Sequence, residues 1–293
     1  MSTWPAVVCA ALFLALSSTT LAQAPQPDPK DPQYQHTGEQ DRGYVFPGTT
    51  ETIPYHLYVP AKWKPGMHLP LVVVTHGANQ PSAAPFQRPV AAPTLAKAAE
   101  EHGYIVAAVA GYHANATGVG GWNVPYKMIQ VPPQPGRGGR GGGRGGEPPA
   151  PPTAEDFRRA EADVLNVNDL VAREYGADPR RMFLMGNSSG GSAVWTYATR
   201  YPERWSAIAP SAAPLDDADF PYEQLKTVPV LVIHGDMDTT MVFDASKTMV
   251  DHAQAKGVDV TWLPVAGGLH TDAWAQPQIV TKIFEFFDAH PRK

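Results

Sequence analysis

Cysteine is almost missing from this 293-residue chain: the single one is Cys9. One thiol cannot build a disulfide framework, and it excludes the paired cysteines of structural zinc sites. The histidines do not make up for it. No two of the ten stand four apart, so no His-x-x-x-His pair is offered to a metal. An Asp-rich calcium loop and a phosphate-cradling Gly-rich loop after a strand are missing as well. Neither a metal nor a cofactor is expected.

Positive charge is in short supply too. Lys and Arg number 23 against 28 Asp and Glu, a formal net charge of -5, so nucleic acid is not expected as a partner. The N-terminal apolar run, Trp4 to Leu16, is too short to cross a bilayer. It is followed by the small and polar Ser17-Ser18-Thr19-Thr20-Leu21-Ala22. Together they read as a signal peptide over residues 1–22, cut after Ala22, which implies a secreted or periplasmic protein without a stable membrane anchor. Cys9 lies inside the apolar run, not after it, so it is not placed as a lipid-anchor cysteine. It would leave with the signal.

What remains alternates between two periodicities. Residues 23–42 are rich in proline and polar side chains and read as a flexible leader. Strand candidates follow at Gly43 to Phe46, Ile53 to Val59, Leu71 to Val74, Tyr104 to Ala110, Met182 to Met185, Ala207 to Ala209, Pro229 to Ile233 and Val258 to Val265. Between the later ones stand helix candidates at Pro93 to His102, Thr153 to Tyr175, Ser192 to Tyr201, Asp244 to Lys256 and Ile279 to Ala289. Thr153 and Asp156 have the spacing of a capping box, and Gly176 is a stop. The alternation predicts an α/β fold over residues 43–290, with a mostly parallel central sheet and helices on both faces. One stretch, about 132–152, reads PPQPGRGGRGGGRGGEPPAPP; it cannot bury a core and is expected to be a solvated insertion.

Chemistry concentrates where predicted strands end, the carboxyl edge at which open α/β sheets bind ligands. The turn Gly186-Asn187-Ser188-Ser189-Gly190 has a strand before it and a helix after it, the context of a nucleophile elbow centred on Ser188. A serine is unreactive at its free pKa and needs a base within hydrogen-bond reach. His270, after two glycines beyond the last strand, is the candidate. His76 and His234 also follow strands, but each precedes a glycine, the pattern of a structural or oxyanion turn. The imidazole needs an acid to fix its tautomer; Asp238 and Asp236 both qualify by position. Backbone N–H groups of Ser189 and Ala78 are the candidate oxyanion donors, with Asn79 as the alternative to Ala78. Trp122, Tyr126 and Trp274 are candidate substrate-binding aromatics.

Five segments carry a family resemblance: LPLVVVTHGANQ at 69–80, YGADPRRMFLMGNSSGG at 175–191, YPERWSAIAPSAA at 201–213, VPVLVIHGDMDTTM at 228–241 and GGLHTDAW at 267–274. The chain resembles the α/β-hydrolase superfamily, and more closely secreted esterases of the polyhydroxybutyrate-depolymerase and feruloyl-esterase type. The resemblance implies the α/β-hydrolase fold and a serine ester hydrolase with a Ser188–His270–Asp238 triad. The His-Gly-x-x-Asp spacing of resembling sequences selects Asp238, leaving Asp236 to shape the turn. It implies a small-molecule or polymer-derived ester as substrate. The Gly/Arg/Pro-rich insertion departs from the family pattern, and the cysteines that brace many secreted depolymerases are missing. Both features favour small soluble esters over polyester depolymerisation. A serine peptidase of the prolyl-oligopeptidase type is the other alternative; the chain has no room for that family's N-terminal propeller.

Overall fold

The computed structural model describes residues 24–78, 80–87, 92–112, 122, 124–132, 153–272 and 276–293. The predicted signal peptide, Asn79, Trp274 and all but the first residue of the predicted 132–152 insertion lie outside the described residues.

The chain forms one eight-stranded sheet. Its strands are β1 (Gly38–Val45), β2 (Thr52–Val59), β3 (Leu71–Thr75), β4 (Ile105–Val109), β5 (Met182–Asn187), β6 (Ala207–Ser211), β7 (Val230–Gly235) and β8 (Val260–Val265). They lie in the order β1-β2-β4-β3-β5-β6-β7-β8. The pairs β1–β2 and β2–β4 are antiparallel, and the other pairs are parallel. The helices are α1 (Ala84–Gln87), α2 (Ala92–His102), α3 (Ala154–Tyr175), α4 (Ser189–Arg200), α5 (Phe243–Ala255) and α6 (Pro277–Ala289). This is the predicted α/β-hydrolase architecture.

Strand β3 shows why its run of four apolar residues is continuous. Leu71 and Val73 join the core cluster that includes Val164 and Val167 of α3, Val194 of α4 and Met249 of α5. Val72 and Val74 join the opposite cluster, with Leu95 and Ala99 of α2 and Ile283, Phe284 and Phe287 of α6. A strand covered on both faces has no solvent side to alternate with. Helix α3 is closed at both ends as its sequence predicts. Thr153 N–H and Oγ1–H donate to Asp156 Oδ2, each at 2.7 Å, and Thr153 Oγ1 accepts from Asp156 N–H. Gly176 ends the helix in the left-handed region, φ 62°.

The leader differs from expectation. Strand β1 begins at Gly38, so the predicted flexible leader, 23–42, includes part of the sheet. Its inward residues are Gln40, Arg42 and Tyr44; two of the three are polar, so the apolar pattern that marks a strand is missing there. Arg42 donates to both carboxylate oxygens of the buried Glu174, each at 3.1 Å, and to Asp31 at 3.2 Å. Gln35 bonds Glu174 through its backbone and side-chain N–H groups, each at 2.8 Å. Residues 31–42 are therefore tied to the end of α3.

Another buried acid on α3 fixes the turn that leaves β4. Asp163 accepts from Tyr44 Oη at 2.7 Å and from the N–H groups of Gly111 at 2.7 Å and Tyr112 at 3.3 Å. Burial pushes its carboxyl up to about 6, against the opposing pull of these donors. A carboxyl raised on folding binds its proton more tightly in the native state. Its stabilising contribution is complete below the unfolded value, about 3.9, and is lost as pH rises through the folded one. The free energy of unfolding should fall by about 3 kcal/mol at most from this group between roughly pH 4 and 6. Urea titrations of wild type and Asp163→Asn across that window should show the component only in wild type.

Candidate active site

The carboxyl ends of β3, β5, β7 and β8 converge on one place. At the end of β5 the chain turns through Ser188, at φ 58° and ψ -125°, directly into α4. This backbone is strained for a residue with a Cβ. The turn is held from both neighbouring strands. Ser188 N–H donates to Ser211 O of β6 at 2.9 Å. Thr75 Oγ1, at the end of β3, lies 3.1 Å from Met185 O and 2.9 Å from Gly190 O. A Cβ on Gly190 would stand 2.2 Å from Thr75 O and 2.5 Å from His76 O, and one on Gly186 would stand 2.0 Å from Thr75 Oγ1. The two glycines around the serine are the positions where β3 presses into the turn.

Ser188 Oγ lies 2.9 Å from His270 Nε2, and His270 Nδ1 lies 2.7 Å from Asp238 Oδ2. Asp238 is fully buried at its side chain. Burial raises its carboxyl, but hydrogen bonds from His234 and His270, the charge of His270 and the N–H of Met241 overcome that and hold it well below the usual carboxylate range. An ionised carboxylate can only accept. His270 Nδ1 therefore carries the proton, and the Nε2 lone pair faces the serine hydroxyl. The arrangement can deprotonate Ser188 and stabilise the imidazolium that results.

The loops that carry Asp238 and His270 are tied together. Asp236 Oδ1 accepts from Gly267 N–H at 2.7 Å, and Met237 N–H donates to Gly268 O at 3.0 Å. A Cβ on Gly235 would lie 2.2 Å from Gly268 O. Asp236 thus shapes the turn while Asp238 meets the histidine.

Ser189 opens α4, where a backbone N–H has no partner within the helix. Ala78 is exposed on the turn after β3. That turn is braced from behind by Trp122, whose Nε1–H donates to His76 O at 2.7 Å. Its ring lies 5.2 Å from the His76 ring and 6.3 Å from Tyr197 of α4. Trp122 is 95% buried with its N–H engaged, so it supports the turn. Tyr126 packs 4.9 Å from Phe220 and is half-buried. Among the described residues, no group of three or more His, Cys, Asp or Glu is placed to hold a metal, and no helix is long and apolar enough to cross a membrane.

Two further residues belong to the site: His234, which the sequence reads as part of a structural turn, and Ser246, which no sequence signal marks. His234 Nε2 lies 2.9 Å from Asp238 Oδ2, and His234 Nδ1 lies 2.7 Å from Ser246 Oγ of α5. The His-Gly-x-x-Asp spacing contained this signal, since a histidine four residues before the acid can fold back onto it.

A model of the family described as Esterase matches residues 48–287. No curated relative matches the chain. Solved structures with a similar fold include a thermostable esterase, TM-score 0.59 and 20% identity over 87% of this chain; the match spans 63% of that protein. An S-formylglutathione hydrolase from Agrobacterium tumefaciens has TM-score 0.60 and 14% identity, over 86% of this chain and 95% of its own. A ferulic acid esterase from the anaerobic fungus Anaeromyces mucronatus has TM-score 0.57 and 13% identity, over 92% of this chain and 95% of its own. At such identities the likeness establishes the fold.

The strain at Ser188 has a measurable consequence. Glycine tolerates φ 58° where alanine does not, so Ser188→Gly should be about 1 kcal/mol more stable than Ser188→Ala. Thermal unfolding of the two variants side by side checks this; equal midpoints would argue against stored strain.

Proposed function

The chain belongs to the Esterase family, a family of enzymes acting on ester bonds, and on that premise we propose that it is a secreted serine ester hydrolase. The observation that carries the reading is the unbroken line of hydrogen bonds from Asp238 through His270 to Ser188. Ser188 Oγ attacks the ester carbonyl while His270 Nε2 takes its proton. Asp238 holds the imidazole in its productive tautomer and balances the charge it gains. The oxyanion is received by the N–H groups of Ser189 and Ala78. The imidazolium then protonates the departing alkoxide. The same histidine next activates water, which releases the acid from Ser188.

Small soluble esters of the carboxylesterase or feruloyl-ester kind are the proposed substrates. Met237 and Leu269 support this: each is at least half exposed, and they are the chain neighbours of the acid and the base. Large apolar side chains left open there suit an apolar acyl or alcohol group. Export rests on the apolar run Trp4 to Leu16 and the small residues ending at Ala22.

Turnover of a p-nitrophenyl acyl series, beside a feruloyl ester and a matched amide, tests the assignment. In Ser188→Ala, kcat on the preferred ester should fall by about four to six orders of magnitude, and a fluorophosphonate probe should label wild type at Ser188. Near-wild-type turnover in the variant would remove the serine mechanism. Faster cleavage of the amide would replace esterase by peptidase.

A further inference from the structure

Asp238 is enclosed by four donors, and the reaction proposed above uses one of them. His270 Nδ1 and His234 Nε2 converge on Oδ2, at 2.7 Å and 2.9 Å. The N–H groups of Thr240 and Met241 hold Oδ1, at 2.7 Å and 3.0 Å. We propose that His234 is a positioning residue for catalysis: its Nε2–H locks the acid beneath His270, and the Ser246 hydroxyl anchors the other nitrogen of the ring. The proposal rests on the serine-hydrolase reading and adds a second histidine to it.

The assignment of protons follows from the acceptors. Asp238 is ionised and only accepts, so His234 must present Nε2–H to it. In the neutral ring Nδ1 is then a lone pair, and the Ser246 hydroxyl at 2.7 Å donates to it. The opposite tautomer would set a lone pair against a carboxylate. Both histidine and serine are buried, His234 completely, so water is not at hand to supply the bond. The ring is further confined by Phe243, edge-on at 5.6 Å. The N–H groups hold one end of the carboxylate, and without His234 its other end would be met by His270 alone. A second donor on Oδ2 fixes its plane, and with it the direction in which His270 Nε2 points. The hydrogen-bonded order is Ser246, His234, Asp238, His270, Ser188.

Three variants and one spectrum test this. In His234→Phe, kcat should fall about 10- to 100-fold, with KM changed by no more than about twofold. His234→Gln, whose amide can donate from a position near Nε2, should recover kcat to within about fivefold of wild type. Ser246→Ala, the mildest change, should lower kcat by about threefold to tenfold through loss of the hydrogen bond that anchors the ring. Nitrogen-15 NMR of the wild-type imidazoles should find His234 protonated at Nε2. A kcat unchanged in both His234→Phe and Ser246→Ala, or a His234 ring protonated at Nδ1 alone, overturns the proposal. Failure of His234→Gln to rescue a folded protein overturns it as well. Ser188→Ala distinguishes the two levels: if its turnover is lost, the serine reading stands whatever His234 does, and if its turnover persists, both fall.

Discussion

Everything at the site depends on how closely β3 approaches the turn after β5. The carbonyls of Thr75 and His76 occupy the space where Gly190 would carry a Cβ, and Thr75 Oγ1 occupies that of Gly186. Backbones packed this tightly leave the residue between the glycines one way to go, and Ser188 takes up a left-handed φ of 58°. The same contact sets the turn that follows β3 beside the start of α4. Ser188, the N-terminus of α4 and the Ala78 turn are brought together by one steric fact, with the helix dipole favouring negative charge in the space they share. Trp122 extends the arrangement, since its indole N–H ties the His76 carbonyl while its ring meets Tyr197 on α4.

A similar close approach governs the other half. Gly235 ends β7 with Gly268 O where a side chain would be, and three hydrogen bonds, two of them backbone to backbone, sew the loops after β7 and β8 together: Asp236 N–H to Val265 O, Gly267 N–H to Asp236 Oδ1 and Met237 N–H to Gly268 O. Asp236 and Asp238 stand two residues apart with opposite duties. One accepts from backbone and shapes the loop; the other is buried and meets two imidazoles. Their environments separate them, as their residue type does not.

The sheet was legible because its central strands are continuous apolar runs, and such runs have one good use in an α/β chain. The elbow was legible from its glycines and from the strand and helix around it. Helix α4 begins at Ser189 and not at Ser192, because the strained serine feeds directly into the helix. The first half of β1 escaped for a different reason. Its inward positions hold Gln40 and Arg42, which meet Tyr175 and Glu174 at the end of α3, and no local pattern records such a pairing. Trp122 was legible as an aromatic in a long connection, but whether an indole faces a substrate or a carbonyl depends on the approach of His76. His234 was set aside because a glycine follows it, and that glycine serves the loop crossing while the histidine serves the acid.

The acid itself poses the sharpest physical question. A carboxylate excluded from water should take up a proton, and burial is the largest influence on Asp238. Protonated, it would have to donate, and His270 would lose its reason to keep a proton on Nδ1. The charge survives because four hydrogen bonds replace the water, two from backbone that cannot titrate and two from imidazoles. Asp163 shows the contrast within the same fold: burial prevails there despite its donors, and the carboxyl is pushed up to about 6. One is a structural acid whose neighbours are a phenol and backbone N–H groups; the other has ring nitrogens that can bear charge. That difference in partners decides which of two buried aspartates remains an anion.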